Sequence, residues 1–380
     1  MSKNILILST ADWDNKYWTN KQNVSKMLAQ KGYKIIYVES PGIRKPSIFS
    51  KKDIFRTIKK FFFLFCNKRS DDNNITIISP PLIPFKEKNQ VFFRLFNFLL
   101  ENKILKEVKK KKIKRIYLIT YHPYFKFNKL NEFIVKTIYH CVDDLSSIKG
   151  IDKKNYKIQE KSLLKKCNYI FTSCNFLYYK FKKIMKNVYF LKNAVTEDFI
   201  KASKKKYLTP NEFKKIKRPI FFYHGVLSDF KLDFKKYYDF ALKNNNASVV
   251  FIGEEYELND NYFFNELRKL KNVFFIKYVE YINLPKYIKH VDCALLLYKK
   301  NSYTENMFPL KINEYLICGC KVLMTNISSS IHFKNKVYIY KNNKNFLKYI
   351  LNKNNNQKKI SDKEISYEYL VNTIIKNSIL

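Results

Sequence analysis

The feature that most constrains the fold is an alternation of short apolar runs with amphipathic stretches along the whole chain of 380 residues. Short apolar runs bounded by polar residues are typical of strands buried on both faces, as in parallel sheets covered by helices. Six such runs precede residue 200, at 4–10, 34–40, 115–121, 136–142, 168–174 and 187–193. Five more follow, at 220–226, 247–254, 272–279, 291–298 and 321–327. The pattern predicts an α/β protein with two Rossmann-like domains, each built on a parallel sheet.

The segments between these runs predict helices and domain limits. The stretch 20–32 is amphipathic and ends at Gly32, a residue that often terminates helices. A basic stretch at 205–219 separates the two sets of strands. We therefore predict an N-terminal domain over 1–200, a linker over 201–218, a C-terminal domain over 219–360 and a C-terminal helix within 361–380.

The chain is strongly basic, with 73 Lys and Arg residues against 32 Asp and Glu and a net charge of +41. Such an excess attracts nucleic acid, anionic lipid head groups or nucleotide phosphates. The lysines are spread among Asn, Ile, Phe and Tyr, a composition that an AT-rich genome also produces by codon bias. A nucleic-acid-binding protein is the alternative from another functional class. It requires clustered basic residues and a recognisable module, and because the sequence contains neither, we expect no nucleic-acid partner.

Cysteine usage and hydropathy bear on the cell compartment. The seven cysteines have no framework spacing, and Cys318 and Cys320 lack the second pair or nearby His that a zinc site requires. The first apolar run is too short for a signal peptide, and no run approaches the roughly 18 apolar residues of a membrane span. We predict a cytoplasmic protein without a metal site.

The placement of the glycines disfavours two common enzyme classes and indicates the sheet edge at which a ligand would bind. The sequence contains neither GxGxxG nor GxxxxGK[ST], which disfavours a nicotinamide dehydrogenase and a P-loop phosphotransferase. Gly225 and Gly253 follow predicted strands, where a ligand or another backbone can approach closely.

The segment 308–319 (FPLKINEYLICG) predicts a short helix that begins after Pro309 and ends at Gly319. The first backbone N–H groups of such a helix, those of Leu310 and Lys311, lack intrahelical partners and lie at the positive end of the helix dipole. They form a predicted diphosphate site. The alternative is a Lys311–Glu314 pair on a solvated helix face.

Five segments together resemble a known family. They are 8–42, 139–147 (YHCVDDLSS), 191–195 (LKNAV), 224–234 (HGVLSDFKLDF) and 308–322. Their order and spacing resemble bacterial nucleotide-sugar-dependent glycosyltransferases of the GT-B fold, of the family-4-like or group 1 type. The resemblance covers nearly the whole chain, including 366–376, which is similar to the family's last helix.

The resemblance implies two domains facing a cleft, with the terminal helix returning to the N-terminal domain. The implied reaction transfers a sugar from a nucleoside-diphosphate sugar to a glycan acceptor, favoured here as lipid-linked, with retention of anomeric configuration. The implied process is the assembly of a cell-surface polysaccharide such as capsule or lipooligosaccharide. No metal or other cofactor is implied. A GT-B sugar-nucleotide epimerase is a further enzymatic alternative.

The resemblance places the donor in the C-terminal domain. Glu314 matches the second of the family's two glutamates and is implied to bind the ribose hydroxyls. The first falls on Asn306, with Glu305 one residue out of register. Lys231 matches the phosphate-binding lysine, whose companion Arg is missing near Leu227; among 73 basic residues a chance match is the alternative. The predicted donor-binding residues are Gly225, Ser228, Lys231, Asn306, Phe308, Leu310, Lys311 and Glu314.

The acceptor is predicted to bind the N-terminal domain. The loop at 9–22 is polar and holds both tryptophans of the chain, and aromatic rings stack on sugar C–H faces while polar groups bind hydroxyls. Its predicted acceptor-binding residues are Asp12, Trp13, Asp14, Trp18 and Asn20. The alternative is a loop anchored by buried Trp rings.

Three residues that follow later strands of that domain are the candidate catalytic groups: His122, Asp143 and Asp144. Asp143 and Asp144 are predicted to orient an acceptor hydroxyl. The alternative for the aspartates is the capping of the following helix, and adjacent aspartates are a weak metal signal.

The stretch 51–69 predicts an interfacial helix. Apolar side chains including Phe55 and Phe62 recur at helical spacing, and lysines flank them. A basic amphipathic helix of this kind favours peripheral association with the cytoplasmic face of the inner membrane. The alternative is a helix packed in the core.

Overall fold

The structure, a computed structural model, describes residues 3–43, 69–72, 74–80, 90–148, 150–256, 258, 260–340 and 360–380. The chain divides into two compact units. Unit 1 comprises Met1–Lys192 with Leu370–Leu380, and unit 2 comprises Asn193–Tyr369. Each unit has its own sheet and is described separately.

Unit 1 is built on an eight-stranded sheet with the order β3-β4-β2-β1-β5-β6-β7-β8. All neighbouring strands are parallel except β3, which is antiparallel to β4. All five residues of β1 are buried, as expected for a central strand covered on both faces. The strands are β1 Asn4–Leu8, β2 Lys34–Val38, β3 Arg69–Asp72, β4 Ile75–Ile78, β5 Ile116–Thr120, β6 Ile134–Cys141, β7 Tyr169–Thr172 and β8 Val188–Phe190.

Two helices of unit 1 begin where the sequence supplies capping side chains. Thr19 and Gln22 form a capping box at the start of the first helix, and Asp152 accepts hydrogen bonds from Lys154 and Asn155 N–H groups at the third. The helices are α1 Asn20–Gln30, α2 Gln90–Lys110, α3 Lys153–Leu164 and α4 Asn175–Lys182.

Unit 2 contains a six-stranded parallel sheet with the order β13-β11-β9-β14-β15-β16 and a small parallel pair, β10 with β12. Every residue of β9, β11 and β14 is buried. The strands are β9 Ile220–His224, β10 Leu227–Ser228, β11 Ser248–Ile252, β12 Glu255–Tyr256, β13 Val273–Ile276, β14 Cys293–Leu296, β15 Lys321–Met324 and β16 Tyr338–Ile339.

The later helices follow in chain order. They are α5 Glu197–Lys204, α6 Phe234–Lys243, α7 Tyr262–Lys269, α8 Leu284–Ile288, α9 Ser302–Glu305, α10 Leu310–Ile317 and α11 Tyr367–Ile374, which runs into a π-helical turn at Ile375–Ile379. Short 3-10 turns lie at Lys129–Phe133, Leu145–Ser147, Asn211–Phe213, Tyr281–Asn283, Ser328–Phe333 and Lys363–Ile365.

The predicted α/β class with two parallel sheets is confirmed, and each predicted apolar run overlaps a strand. The division between units falls between Lys192 and Asn193, so residues 201–218, predicted as a linker, group with unit 2. Helix α11 straddles the two units, and its predicted return to the N-terminal domain stays a prediction. The predicted interfacial helix at 51–69 lies outside the described residues, except for Arg69, where β3 begins.

The six cysteines within the described ranges are free thiols, and four of them are buried: Cys141, Cys174, Cys293 and Cys320. Burial is the main cause that raises the pKa of Cys174 to about 11 and the pKa of Cys167 to about 12. The described residues contain no group of three or more His, Cys, Asp or Glu side chains placed to hold a metal ion. Over the same ranges, no helix is both long enough and apolar enough to cross a membrane.

Candidate functional site

Two strand ends meet at the carboxyl edge of the unit 2 sheet. Gly225 follows β9 with φ +117°, and Gly253 follows β11 with φ +151°. The backbones touch so closely that a Cβ on Gly253 would overlap the carbonyl oxygen of Gly225 and lie 2.8 Å from its carbonyl carbon. Only glycine fits this approach, which brings the ends of the two strands together.

The side chain of Lys311 lies across Gly225. A Cβ on Gly225 would overlap Cε of Lys311 and lie 2.7 Å from Nζ. The ammonium also lies 5.7 Å from the ring centroid of Tyr223, a buried residue of β9. Lys311 is therefore not part of a fully solvated helix face, since the missing Cβ of Gly225 leaves the space that its ammonium occupies.

Helix α10 begins directly beside this lysine. Pro309 occupies the N-cap position, and no described side chain caps the helix start. An uncapped helix start presents backbone N–H donors and a partial positive charge. The Lys311 ammonium and this helix start together place positive charge beside Gly225.

Glu314 lies one turn into α10 and is only 3% exposed. Its Oε2 is 3.2 Å from Nε2 of His224, a contact at ion-pair distance whose alignment is not that of a hydrogen bond. The Tyr281 hydroxyl neighbours the same carboxylate and favours its ionised form. His224 is positioned in turn by Tyr315, whose hydroxyl accepts a hydrogen bond from the His224 backbone N–H at 3.0 Å. Glu314 is thus held from two sides.

The surroundings of Glu314, His224 and Lys311 determine the protonation states of these side chains. Burial alone would raise the pKa of Glu314, but its pKa is lowered because His224, Lys311 and Tyr281 all favour the carboxylate. Burial lowers the pKa of His224, an effect that Glu314 opposes. Burial also lowers the pKa of Lys311, again against Glu314. At neutral pH the site therefore holds a charged carboxylate beside a neutral imidazole.

Lys231 and Ser228 lie in the segment that follows β9. Nζ of Lys231 is 5.2 Å from the ring centroid of Tyr303, and Ser228 is buried in β10. The loop is fixed by Asn301, whose side chain donates a hydrogen bond to the Phe230 carbonyl at 2.8 Å. The structure thus places two of the predicted donor-binding residues in the segment that follows Gly225, with Ser228 at the end of β10 and Lys231 in the tethered loop after it.

Asn306 and Glu305 have different surroundings. The Asn306 side chain donates to the Ser302 carbonyl at 2.8 Å and follows the last residue of α9. Oε2 of Glu305 accepts hydrogen bonds from the backbone N–H and hydroxyl of Ser328, at 3.0 and 2.6 Å. Glu305 is therefore committed to holding the chain at Ser328. Phe308 is buried, with its ring 5.1 Å from that of Phe333.

In unit 1, the loop after β1 is anchored by Trp13. Trp13 is 4% exposed, its ring centroid lies 4.8 Å from that of Tyr37, and its backbone N–H donates to Glu39 at 2.9 Å. Trp18 lies 5.1 Å from the Trp13 ring and is partly exposed. The buried-anchor alternative therefore describes Trp13, and the partly exposed Trp18 offers more ring surface to a ligand.

The remaining predicted acceptor residues differ in exposure. Asp14 is exposed, Asp12 is partly exposed and Asn20, the first residue of α1, is buried. The Asp12 carbonyl accepts a hydrogen bond from the Gln22 side chain at 3.0 Å, which ties the loop to α1.

The three predicted catalytic residues also lie in unit 1. His122 is 1% exposed, and its Nδ1 accepts a hydrogen bond from the Tyr124 backbone N–H at 3.1 Å. Burial lowers the pKa of His122 to about 3. Its imidazole is neutral at neutral pH, and because Nδ1 is an acceptor, the proton is on Nε2.

Asp144 caps the 3-10 turn at Leu145–Ser147. Oδ1 accepts from the Ser146 N–H and hydroxyl at 3.2 and 2.7 Å, and Oδ2 accepts from the Ser147 hydroxyl at 2.8 Å. Both oxygens therefore have a structural use, the capping alternative for this residue. Asp143 is partly exposed, and its carbonyl accepts from the Leu145 N–H at 3.0 Å.

Solved structures similar to this chain share one architecture. Sucrose-phosphate synthase from Thermosynechococcus elongatus superposes with a TM-score of 0.65 at 10% identity, over 98% of both chains. HepE from Anabaena, solved with UDP and glucose, gives 0.61 at 10% identity over 98% of both chains. WaaG, a glycosyltransferase involved in lipopolysaccharide biosynthesis, gives 0.54 at 11% identity, over 98% of this chain and 93% of that one. The chain has the GT-B fold.

Sequence comparison finds a glycosyltransferase that matches part of this chain, in agreement with the GT-B fold. No family model matches the chain. A protein of Bacillus subtilis (strain 168) described as a teichuronic acid biosynthesis glycosyltransferase, TuaH, is 32% identical over 110 residues. The match spans 29% of this chain and 27% of the length of TuaH. The predicted resemblance to GT-B glycosyltransferases is thereby confirmed.

Two residues beside Glu314, His224 and Tyr281, are absent from the sequence predictions. His224 stands directly before Gly225, and this position was a usable signal because the glycine marks the strand end. Tyr281 lies in a 3-10 turn without a motif, so nothing in its local sequence indicates a contact with Glu314.

Proposed function

We propose that the chain is a glycosyltransferase that transfers a sugar from a nucleoside-diphosphate sugar to a glycan acceptor. The observation that carries this proposal is the charged group at the carboxyl edge of the unit 2 sheet. Lys311 lies across Gly225, and the buried Glu314 is held by His224 and Tyr281. Ligands of open α/β sheets bind at this edge.

The positive charges of this site suit a nucleoside diphosphate as the leaving group of the reaction. In the proposed reaction the bond between the sugar C1 and the diphosphate oxygen breaks, the acceptor oxygen bonds to C1, and the acceptor hydroxyl passes its proton to the departing diphosphate or to solvent water. Negative charge therefore grows on the departing diphosphate. The Lys311 ammonium, the start of α10 and Lys231 are positioned to stabilise that charge.

The negative charge of this site, the Glu314 carboxylate, suits the binding of ribose hydroxyls. A carboxylate accepts hydrogen bonds from two neighbouring hydroxyls, and an ionised acceptor makes stronger hydrogen bonds than a neutral one. Glu314 is kept ionised by its neighbours, so it needs no proton loss when a ligand binds. Tyr281 and His224 fix the direction of the carboxylate before binding.

The acceptor is proposed to bind unit 1, as a lipid-linked glycan in cell-surface polysaccharide synthesis, with retention at the anomeric carbon. The described role of TuaH in teichuronic acid biosynthesis supports this choice of process. We assign to His122 the role of a hydrogen-bond donor through Nε2–H. A pKa of about 3 makes a neutral imidazole the relevant form at neutral pH.

The first experiment measures nucleotide binding by thermal stabilisation with UDP, GDP, ADP and CMP, beginning with UDP because HepE was solved with it. We expect one nucleoside diphosphate to raise the melting temperature and Glu314→Gln to reduce that shift. Glu266→Gln is the matched control, because it makes the same change at a carboxylate that pairs with Lys269 within α7. A chain that none of the four nucleotides stabilises, or that responds equally in both variants, contradicts the proposal.

A further inference from the structure

The outer face of α2 carries a cluster of exposed apolar side chains. Val91 is 68% exposed, Leu95 51%, Phe98 60% and Leu99 41%. Their spacing of four, three and one residues places them on one side of an α-helix, over two turns. Contiguous apolar patches of this kind on soluble proteins mark interaction sites.

The same side of α2 becomes basic toward its C-terminal end. Exposed residues there are Asn102, Lys106, Lys109 and Lys110. At 100° per residue, Val91, Phe98 and Lys109 lie within about 20° of one another. The opposite side is buried in the core of unit 1 by Phe96, Leu100, Ile104 and Val108. The buried side therefore anchors the helix to the core of unit 1. Its outer face has an apolar half and a cationic half.

We infer that this face binds an anionic membrane surface. The α2 surface, as we call it, consists of Val91, Arg94, Leu95, Phe98, Leu99, Lys106, Lys109 and Lys110. Apolar side chains enter the boundary between head groups and acyl chains, and lysines beside them meet lipid phosphates. Both requirements are met on a single exposed helix face, within a chain whose net charge is +41.

A second copy of the chain does not fit the α2 surface. Antiparallel pairing of two such helices would place the lysine half of each against the apolar half of the other. Parallel pairing would place Lys106, Lys109 and Lys110 opposite the same lysines. The first leaves cations against apolar side chains and the second brings like charges together, so neither is favourable.

The inference extends the proposed function, because a lipid-linked acceptor lies at a membrane surface. It does not require sugar transfer, and vesicle binding is measured without donor or acceptor. The α2 surface is also separate in sequence from the stretch 51–69, for which membrane binding was predicted. Failure of vesicle binding and failure of nucleotide binding are therefore distinguishable.

The test is co-sedimentation of the full chain with vesicles of phosphatidylcholine alone or with added anionic phosphatidylglycerol. We expect binding to the anionic vesicles that weakens as salt rises and does not vanish, because the apolar part is unscreened. Leu95→Ser with Phe98→Ser should weaken binding by at least about tenfold. Lys106→Gln, Lys109→Gln and Lys110→Gln together should remove most of the salt dependence.

Two controls are matched to these variants. The control for the apolar variant changes two exposed apolar residues of unit 2 to serine, Leu242 and Ile331. The control for the lysine variant changes three exposed lysines of α3 to glutamine, Lys153, Lys154 and Lys157. Wild-type binding is expected from both controls.

Four outcomes would overturn the inference. They are undiminished binding in the Leu95/Phe98 variant, equal losses in the controls, a loss of folding stability in that variant, and dimerisation of the wild-type chain that the variant abolishes. Phe55→Ser with Phe62→Ser is made in parallel. If that pair alone releases the chain from vesicles, binding belongs to 51–69 and not to the α2 surface.

Discussion

The contact between Gly253 and Gly225 leads to a prediction about stability. Gly253→Ala places a methyl group where the Gly225 carbonyl already lies, at a backbone φ of +151°. Gly319, with φ +74°, is the matched control, because no atom lies within 4 Å of the position that a Cβ would take there. Its alanine therefore meets only the backbone cost. The pair separates steric overlap from backbone conformation.

The magnitudes follow from these two terms. A non-glycine residue in the left-handed region costs roughly 1–2 kcal/mol, which is the whole expected effect of Gly319→Ala. Overlap with a backbone group that cannot rotate away adds about 1–3 kcal/mol, the usual range for overpacking. We therefore expect Gly253→Ala to lower the free energy of unfolding by about 2–5 kcal/mol. Because the ends of β9 and β11 lie under Lys311, nucleotide binding should weaken as well.

Urea unfolding measures both variants with two probes. Both tryptophans lie in unit 1, so their fluorescence reports that unit, whereas far-ultraviolet circular dichroism reports both units. We expect the substitutions to shift the dichroism transition more than the fluorescence transition. Equal destabilisation by Gly253→Ala and Gly319→Ala would refute the argument, since the overlap would then cost nothing.

Three further predictions concern individual side chains. Glu314→Gln should reduce sugar transfer roughly a hundredfold while circular dichroism stays unchanged, and wild-type turnover would remove Glu314 from the site. Lys231→Ala should weaken nucleoside diphosphate binding by roughly 1–3 kcal/mol in calorimetry, whereas Lys204→Ala, which removes an exposed ion pair, should be nearly silent; equal effects would indicate diffuse electrostatics. Burial, aided by Lys21, lowers the pKa of His140 from 6.5 to about 3, so the unfolded chain binds more protons over this range and stability is lost as pH falls from about 6.5 toward 3; His140→Gln should flatten this dependence in urea unfolding, and an unchanged slope would contradict the assignment.

The central strands could be predicted from the sequence because strands buried on both faces consist almost entirely of apolar residues. The runs that became β1 and β9 are apolar at nearly every position, and every residue of both strands is buried. Strand β3 is Arg–Ser–Asp–Asp at a sheet edge, and β10 has two residues. Neither strand has an apolar pattern of its own. Their pairing depends on neighbouring chain segments, so the local sequence does not predict them.

The candidate site was predictable to the level of strand ends and helix starts. Gly225, Gly253 and the start of α10 follow from local rules about glycine and proline. The position of Lys311 over Gly225 depends on how α10 packs against β9, which no local pattern specifies. Asp144 shows the converse, since its sequence allowed a catalytic or a capping interpretation and only the structure shows two oxygens engaged in a cap.

The raised thiol pKa values make the chain suitable for site-specific labelling. Maleimides react with the thiolate, and raised pKa values such as those of Cys167 and Cys174 keep these sulfurs protonated at neutral pH. A cysteine introduced at the exposed position of Phe98, in a Cys66→Ser background, would therefore react first. An environment-sensitive dye attached there would shift its emission toward the blue when the side chain moves from water into lipid.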